Sequence, residues 1–118
     1  MNKIAVVVLA DAETHADTGR LANAMELAKE AGEQGDEVRI IFDGAGTRWV
    51  PVLTDESNQL NAYYRAVHHL IDGACSFCAS AFHVKPQIQE TDVPLISDYE
   101  GHPSLRGYIQ EGYQVVTF

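Results

Sequence analysis

Hydrophobic residues in this chain alternate between short continuous runs and spacings that suit one face of a helix. Residues 4–10 form a continuous apolar run, and residues 38–42, 74–77, 94–97 and 113–118 are short, mostly apolar runs. Such runs, bounded by polar residues, are typical of strands buried on both faces. Because they alternate with helical segments, the pattern predicts a single three-layer α/β/α domain over residues 1–118, with a mostly parallel five-stranded sheet.

Helices are predicted between these runs from apolar spacing and from capping residues. The first is expected from a cap at Asp17 or Thr18 to about residue 33, and the second from Asp55 to residues 72–73. Shorter helices are expected at residues 79–83, from Pro86 onward, and from Pro103 to Gly112. The apolar positions that indicate the two longer helices are Leu21, Ala24, Met25, Ala28, Leu60, Tyr64, Val67 and Ile71.

Composition and charge narrow the classes of function. The 118 residues are 46% hydrophobic and carry a formal net charge of −9, which is ordinary for a folded domain and would repel a phosphate backbone. No apolar stretch approaches the length of a membrane span, and acidic residues follow the first apolar run where a signal peptide would continue. We therefore expect a cytoplasmic protein with no nucleic-acid partner, no membrane contact and no cofactor.

The carboxyl ends of parallel strands are where open α/β sheets gather ligands and catalytic groups. Polar segments follow each predicted strand, so this edge is expected to bring both cysteines, Cys75 and Cys78, together with binding residues. The expected binding residues are Asp11, Asp43, Asp98 and His102, with His15, Arg48 and Tyr99 as further neighbours.

Cys75 and Cys78 carry the candidate chemistry. Cys75 is expected at the end of the third strand and Cys78 in the first turn of the next helix, where their sulfurs share a face. Backbone N–H groups at a helix N-terminus favour a thiolate, which is the nucleophile in sulfur transfer and disulfide exchange. The plainer alternative is that both cysteines simply fill space beneath the helix.

Zinc is the less favoured alternative. Cys75, Cys78 and His83 have ligand spacing, and His68, His69 or His102 offers a fourth ligand, but a structural zinc site normally pairs two such knuckles. His68 and His69 are adjacent and point apart on a helix, and His83 is expected to end its helix.

The segment of residues 43–48, DGAGTR, matches neither a dinucleotide fingerprint nor a P-loop. A turn with Gly44 or Gly46 at positive φ is favoured there over a phosphate site. Trp49 behind it is expected either in the core or at an oligomer contact.

The order of elements, DGAG after the second strand, the cysteine at the third strand's end and the closing YQVVTF together resemble the DsrE-like family. This family includes the sulfur-relay subunits DsrE and TusD and the YchN-like proteins. The resemblance covers the whole chain and implies an α/β/α fold, oligomers and a role in intracellular sulfur transfer. Cys75 falls where relay members carry the cysteine that becomes a persulfide, and Cys78 looks like the second cysteine of YchN-like members.

The resulting hypothesis is a sulfur carrier in which Cys75 holds a sulfane sulfur, Cys78 resolves or protects it, and partner proteins donate and accept the sulfur. Two alternatives remain open: an oligomeric module that binds a small ligand or metal without catalysis, and a dithiol redox protein that uses Cys75 and Cys78.

Overall fold

Five parallel strands form one sheet in a computed structural model that describes residues 1–118. The order across the sheet is β4-β3-β2-β1-β5, and all four pairings are parallel. This confirms the predicted α/β class and the count of five strands. The strands are β1 (Lys3–Val8), β2 (Glu37–Phe42), β3 (Ile71–Cys75), β4 (Leu95–Ile96) and β5 (Gln114–Thr117).

Six α-helices cover the two faces of the sheet unequally. They are α1 (His15–Glu33), α2 (Trp49–Thr54), α3 (Asn61–Val67), α4 (Ser76–Ala81), α5 (Lys85–Gln89) and α6 (Leu105–Gln110). Residues of α1 to α5 share a core of 19 buried residues with one side of β1 and β2. The opposite side packs against Leu105 and Tyr108 of α6. This division follows from right-handed crossovers, since the chain steps from β1 to β4 in one direction and returns to β5 in the other.

The first helix begins earlier than predicted. Thr14, rather than Asp17 or Thr18, is its N-cap: the Thr14 hydroxyl accepts the N–H of Asp17 at 3.1 Å, and the Asp17 carboxylate accepts the N–H of Thr14 at 3.0 Å. This reciprocal capping box satisfies two backbone donors at once, which a cap at either predicted residue would not do.

The prediction of one helix from Asp55 to residues 72–73 is wrong. Residues 49–54 form the separate helix α2, a turn follows, and α3 gives way to a short 3-10 helix at His68–Leu70. The Asp72-Gly73 pair that resembled a helix stop lies inside β3. There Ile40 pairs with Ile71 and Ile41 with Gly73, so Asp72 is the extra residue of a β-bulge. A Cβ on Gly73 would lie 2.5 Å from the Pro94 carbonyl oxygen, so glycine allows β3 to lie this close to the backbone of Pro94.

The last third of the chain follows the prediction with shifted ends. Pro86 lies in the first turn of α5, as expected. Pro103, however, precedes α6 instead of lying in its first turn, because the Ser104 hydroxyl caps the helix by accepting the N–H of Gly107 at 3.0 Å. The fourth strand shortens to two residues. None of the helices is both long and apolar enough to cross a lipid bilayer.

Trp49 is a core residue of the single chain. Its side chain is buried in the main core, and its indole N–H donates to the carbonyl oxygen of Ala10 at 3.0 Å. Of the two roles considered for it, the structure shows the first.

Candidate functional site

Four side chains with metal-binding or nucleophilic atoms meet at the carboxyl edge of the sheet. They are Asp43, Cys75, Cys78 and His102, and one donor atom from each lies within 4.8 Å of all the others. Asp43 follows β2, Cys75 ends β3, Cys78 lies in the first turn of α4, and His102 lies between β4 and α6. We call these four residues the thiol cluster.

Cys75 is the buried member of the thiol cluster. It has no solvent exposure, ends β3 and caps α4, where its Sγ accepts the N–H of Cys78 at 3.3 Å. Its Sγ also lies 3.2 Å from Nδ1 of His102. The thiol and the imidazole are therefore within hydrogen-bonding distance of each other.

Cys78 is the more accessible thiol. It is partly exposed, and its Sγ donates toward Oδ1 of Asp43 at 3.5 Å. Neither cysteine is in a disulfide. The two predicted cysteines therefore lie together, with unequal access to solvent.

Asp43 is held in place by the turn that follows β2. Its Oδ1 accepts the N–H of Gly44 at 2.9 Å, and its own N–H donates to the Val8 carbonyl at 3.0 Å. The predicted positive φ is found at Gly44, which has φ 55°. Gly46 serves differently: a Cβ there would lie 1.9 Å from the Val8 carbonyl oxygen, so the backbones of the turn and β1 can meet only without a side chain.

His102 reaches the cysteines through a tight turn. Backbone hydrogen bonds of 2.8 Å run both ways between Tyr99 and His102, and the two central residues, Glu100 and Gly101, have φ 50° and 85°. Positive φ at both central positions is the feature of a type I′ turn. Phe77 of α4 packs against the imidazole with ring centroids 4.7 Å apart, and its N–H donates to the Gly101 carbonyl at 2.9 Å.

Burial dominates the acidity of the Cys75 thiol. It raises the pKa to about 12, and the hydrogen bond from the Cys78 N–H, which lowers the pKa, only partly opposes it. The expectation that the helix N-terminus would lower the pKa of this thiol is therefore wrong. Desolvation of a thiolate in this buried position outweighs one backbone donor at a helix of six residues.

Other predicted residues lie outside the thiol cluster. Asp11 and Glu13 both pair with Arg48, whose Nη1 lies 2.7 Å and 2.6 Å from their carboxylate oxygens. Asp98 lines a separate depression together with Asp72. The expected neighbours His15 and Tyr99 are exposed to solvent.

The remaining histidines do not join the cysteines. His83 is exposed just beyond α4 with φ 60°, and its N–H donates to Ser80 while Val84 donates to Ala79, which is a Schellman ending. It therefore ends its helix, as predicted. His68 and His69 are exposed on the short 3-10 helix, with their rings 83° apart in plane.

Comparison with known proteins identifies a relative in sequence and a solved structure of the same fold. No family model matches the chain. The uncharacterized protein MJ0733 of Methanocaldococcus jannaschii is 33% identical over 96 residues, which are 81% of this chain and 78% of the relative. This chain belongs to the same family as MJ0733. The conserved protein of unknown function BT1422 from Bacteroides thetaiotaomicron superposes with a TM-score of 0.65 at 19% identity, covering 97% of this chain and 94% of BT1422, and so shares the fold.

Proposed function

We propose that this protein is a sulfur carrier of the DsrE-like kind, which holds a sulfane sulfur as a persulfide on Cys75. The observation that carries the proposal is the 3.2 Å contact between Cys75 Sγ and His102 Nδ1. A thiol beside a base is the arrangement that activates a cysteine nucleophile. The Cys78 N–H at the same sulfur supplies a donor for the negative charge of a thiolate or persulfide.

Unequal burial supports successive roles for the two cysteines. A donor persulfide R–S–SH reaches the partly exposed Cys78 first, and the Cys78 thiolate attacks its outer sulfur. A bond forms between Cys78 Sγ and that sulfur, the S–S bond of the donor breaks, and R leaves as a thiol after taking up a proton. Cys78 is thus the entry point for sulfur, which differs from the resolving or protecting role expected from the sequence.

The second step moves the sulfur to Cys75. Cys75 gives its proton to His102 as it attacks the outer sulfur on Cys78, so no free thiolate has to form where burial raises the pKa of the thiol to about 12. A new S–S bond forms at Cys75, the S–S bond at Cys78 breaks, and Cys78 leaves and is reprotonated. Neither step involves net oxidation. Asp43 Oδ1 lies 3.5 Å from Cys78 Sγ, so the Cys78 thiol regains this hydrogen-bond acceptor once the sulfur has moved to Cys75.

Burial of Cys75 suits storage of the sulfur. A persulfide there is shielded from stray thiols, and an acceptor protein has to engage the exposed side of the cluster to remove it. Phe77, which packs on the His102 ring, and Tyr99, whose backbone pairs with that of His102, are 58% and 63% exposed and offer apolar contacts to such a partner.

Intact-mass measurement with peptide mapping tests the proposal. The reduced, metal-free full chain is incubated with glutathione persulfide, and free groups are then trapped by alkylation. We expect a gain of one sulfur atom that maps to Cys75 and is lost on reduction with dithiothreitol. Cys75→Ser should leave the sulfur on Cys78, and His83→Ala should behave like the wild type.

Two results would contradict the sulfur-carrier proposal. The first is no sulfur gain, or a gain confined to Cys78 in the wild-type chain. The second is a loss of two hydrogens with a Cys75–Cys78 linkage and no added sulfur. That result would favour a dithiol redox protein, which the proximity of the two sulfurs within 4.8 Å also permits.

A further inference from the structure

The thiol cluster has the composition of a metal site, although its ligands come from four separate segments of the chain. The sequence offered only one cysteine knuckle, and His83, the histidine next to it, lies outside the cluster. The missing donors instead come from Asp43 and His102. We infer that Asp43, Cys75, Cys78 and His102 bind one tetrahedral divalent cation, and that Zn²⁺ is the ion they fit best.

The spacing of the donor atoms suits a tetrahedral ion. With bonds of about 2.0–2.3 Å, a tetrahedral Zn²⁺ holds its ligand atoms roughly 3.2–3.8 Å apart. Cys75 Sγ and His102 Nδ1 are 3.2 Å apart, and Cys78 Sγ and Asp43 Oδ1 are 3.5 Å apart. All pairs lie within 4.8 Å, so even the widest pair has to close by only about 1 Å to reach these separations.

The chemistry of the donors selects the ion. Two thiolates and an imidazole match a borderline-soft cation, whereas Mg²⁺ and Ca²⁺ prefer sites made wholly of oxygen atoms. Four protein ligands fill a tetrahedral shell and leave no position for a reactive water. The site is therefore one that stores the ion or stabilises the fold.

The ligands are held before the ion arrives. The N–H of Gly44 fixes the Asp43 carboxylate at 2.9 Å, and Phe77 packs on the His102 ring. Cys75 is fixed at the end of a central strand and shielded from solvent. Contacts of this kind around the ligands orient them and raise the affinity of metal sites.

A bound Zn²⁺ would use the same two sulfurs that the proposed sulfur carrier needs. Metal and persulfide therefore exclude each other, and Zn²⁺ protects the thiols while no sulfur donor is present. The metal site itself stands on the four donor atoms and does not depend on sulfur transfer.

Zinc affinity tests the inference. The reduced, metal-stripped full chain is titrated with Zn²⁺ against a chromophoric chelator, and the site is also probed with Co²⁺. We expect one ion per chain, Co²⁺ d–d bands of a tetrahedral complex and a thiolate-to-cobalt charge-transfer band. Asp43→Asn and His102→Ala should each weaken Zn²⁺ binding at least tenfold, while Asp98→Asn and His83→Ala should leave it unchanged.

Three outcomes would overturn the metal site: no stoichiometric binding by the wild type, an octahedral Co²⁺ spectrum, or full affinity in both Asp43→Asn and His102→Ala. Circular dichroism of each variant confirms that it is folded, and the wild-type Co²⁺ spectrum decides the geometry independently of any variant. Persulfide loading of metal-free Asp43→Asn separates the two proposals. Loading without zinc binding leaves the sulfur carrier intact, and zinc binding without loading by the wild type leaves only the metal site.

Discussion

At the residue scale, the two cysteines differ in environment although they are three positions apart. Cys75 closes a buried strand, while Cys78 lies one helical turn further on and is partly exposed. Burial therefore makes Cys75 less accessible to reagents and also raises the pKa of its thiol. Cys78 is the thiol that reagents meet first.

Selective alkylation measures this difference. With the metal-free chain and iodoacetamide at a pH of about 8, we expect Cys78 to react at least about tenfold faster than Cys75, because the thiolate is the reactive species. Burial raises the pKa of Cys75 to about 12, so its thiolate fraction at that pH is very small. Timed quenching followed by peptide mass mapping gives both rates.

Denatured protein is the control for this comparison, since both cysteines should then react at similar rates. Faster labelling of Cys75 in the folded chain would contradict the burial described here.

Sequence reasoning named all four residues of the thiol cluster, together with Asp11 and Asp98 that lie outside it, for a physical reason. Asp43 directly follows β2, Cys75 ends β3, and His102 lies in the loop after β4. The carboxyl ends of parallel strands meet at one edge of the sheet. That rule does not say which loop residues turn inward. Asp11 occupies the same kind of position as Asp43, but Arg48 holds it in an ion pair. Such a partner is visible only in three dimensions.

At the scale of elements, the turn after β2 depends on one glycine. Gly46→Ala should destabilise the chain by about 2–4 kcal/mol, because overpacking against backbone has no flexible side chain to absorb it. The added methyl would meet the Val8 carbonyl at 1.9 Å. Urea unfolding followed by circular dichroism gives the change in free energy of unfolding.

Gly19→Ala is the matched control for Gly46→Ala. Gly19 lies within α1, and a Cβ there has no atom within 4 Å. Alanine at that position should stabilise the chain by roughly 0.5–1 kcal/mol. Equal effects of the two substitutions would show that close approach at Gly46 is not what matters.

Tyr113 makes the stability of the α6 side of the sheet depend on alkaline pH. Burial and its hydrogen bond to Glu37 raise the pKa of Tyr113 from 10.0 to about 12. Between those values the folded chain keeps a proton that the unfolded chain has lost, so stability should fall as pH rises from 10.0 to about 12. Tyr113→Phe should reduce this fall, as measured by urea unfolding across that range.

Tyr99→Phe is the control for Tyr113→Phe, since Tyr99 is 63% exposed. Its alkaline unfolding profile should match that of the wild type. A profile of Tyr113→Phe as steep as the wild type's would contradict the role given to this hydrogen bond.

The alternation of elements was readable because the strands are short, mostly apolar runs, of which the inner strand β1 is almost wholly buried. The ends of the helices and strands in residues 49–73 could not be predicted in this way, because tertiary contacts override local sequence signals there. Asp72-Gly73 carries the local signature of a helix end but serves a bulged strand, where Gly73 is required by the neighbouring Pro94 carbonyl. Similarly, α2 contains Pro51 and lacks a side-chain cap, so no local sequence signal predicts this helix.

At the scale of the whole molecule, a bound ion would link segments that are distant in the chain. At free Zn²⁺ about 100-fold above its Kd, binding should stabilise the fold by about 2.7 kcal/mol. For a domain of this size that corresponds to a rise in Tm of roughly 10 °C. Calorimetry of the reduced chain with and without Zn²⁺ measures the rise.

Asp43→Asn is the matched comparison for the calorimetry, and its Tm should respond much less to Zn²⁺. An equal rise in both proteins would mean that the ion stabilises the chain from some other position.

The return of the chain across the sheet has a consequence for protein synthesis. Asp43 and both cysteines emerge from the ribosome before His102, and His102 precedes the helix and strand that cover the second face and the outer edge of β1. A nascent chain that ends after β4 contains Asp43 and both thiols but not the imidazole of His102. We expect the thiol cluster to be complete only after His102 has emerged, late in synthesis.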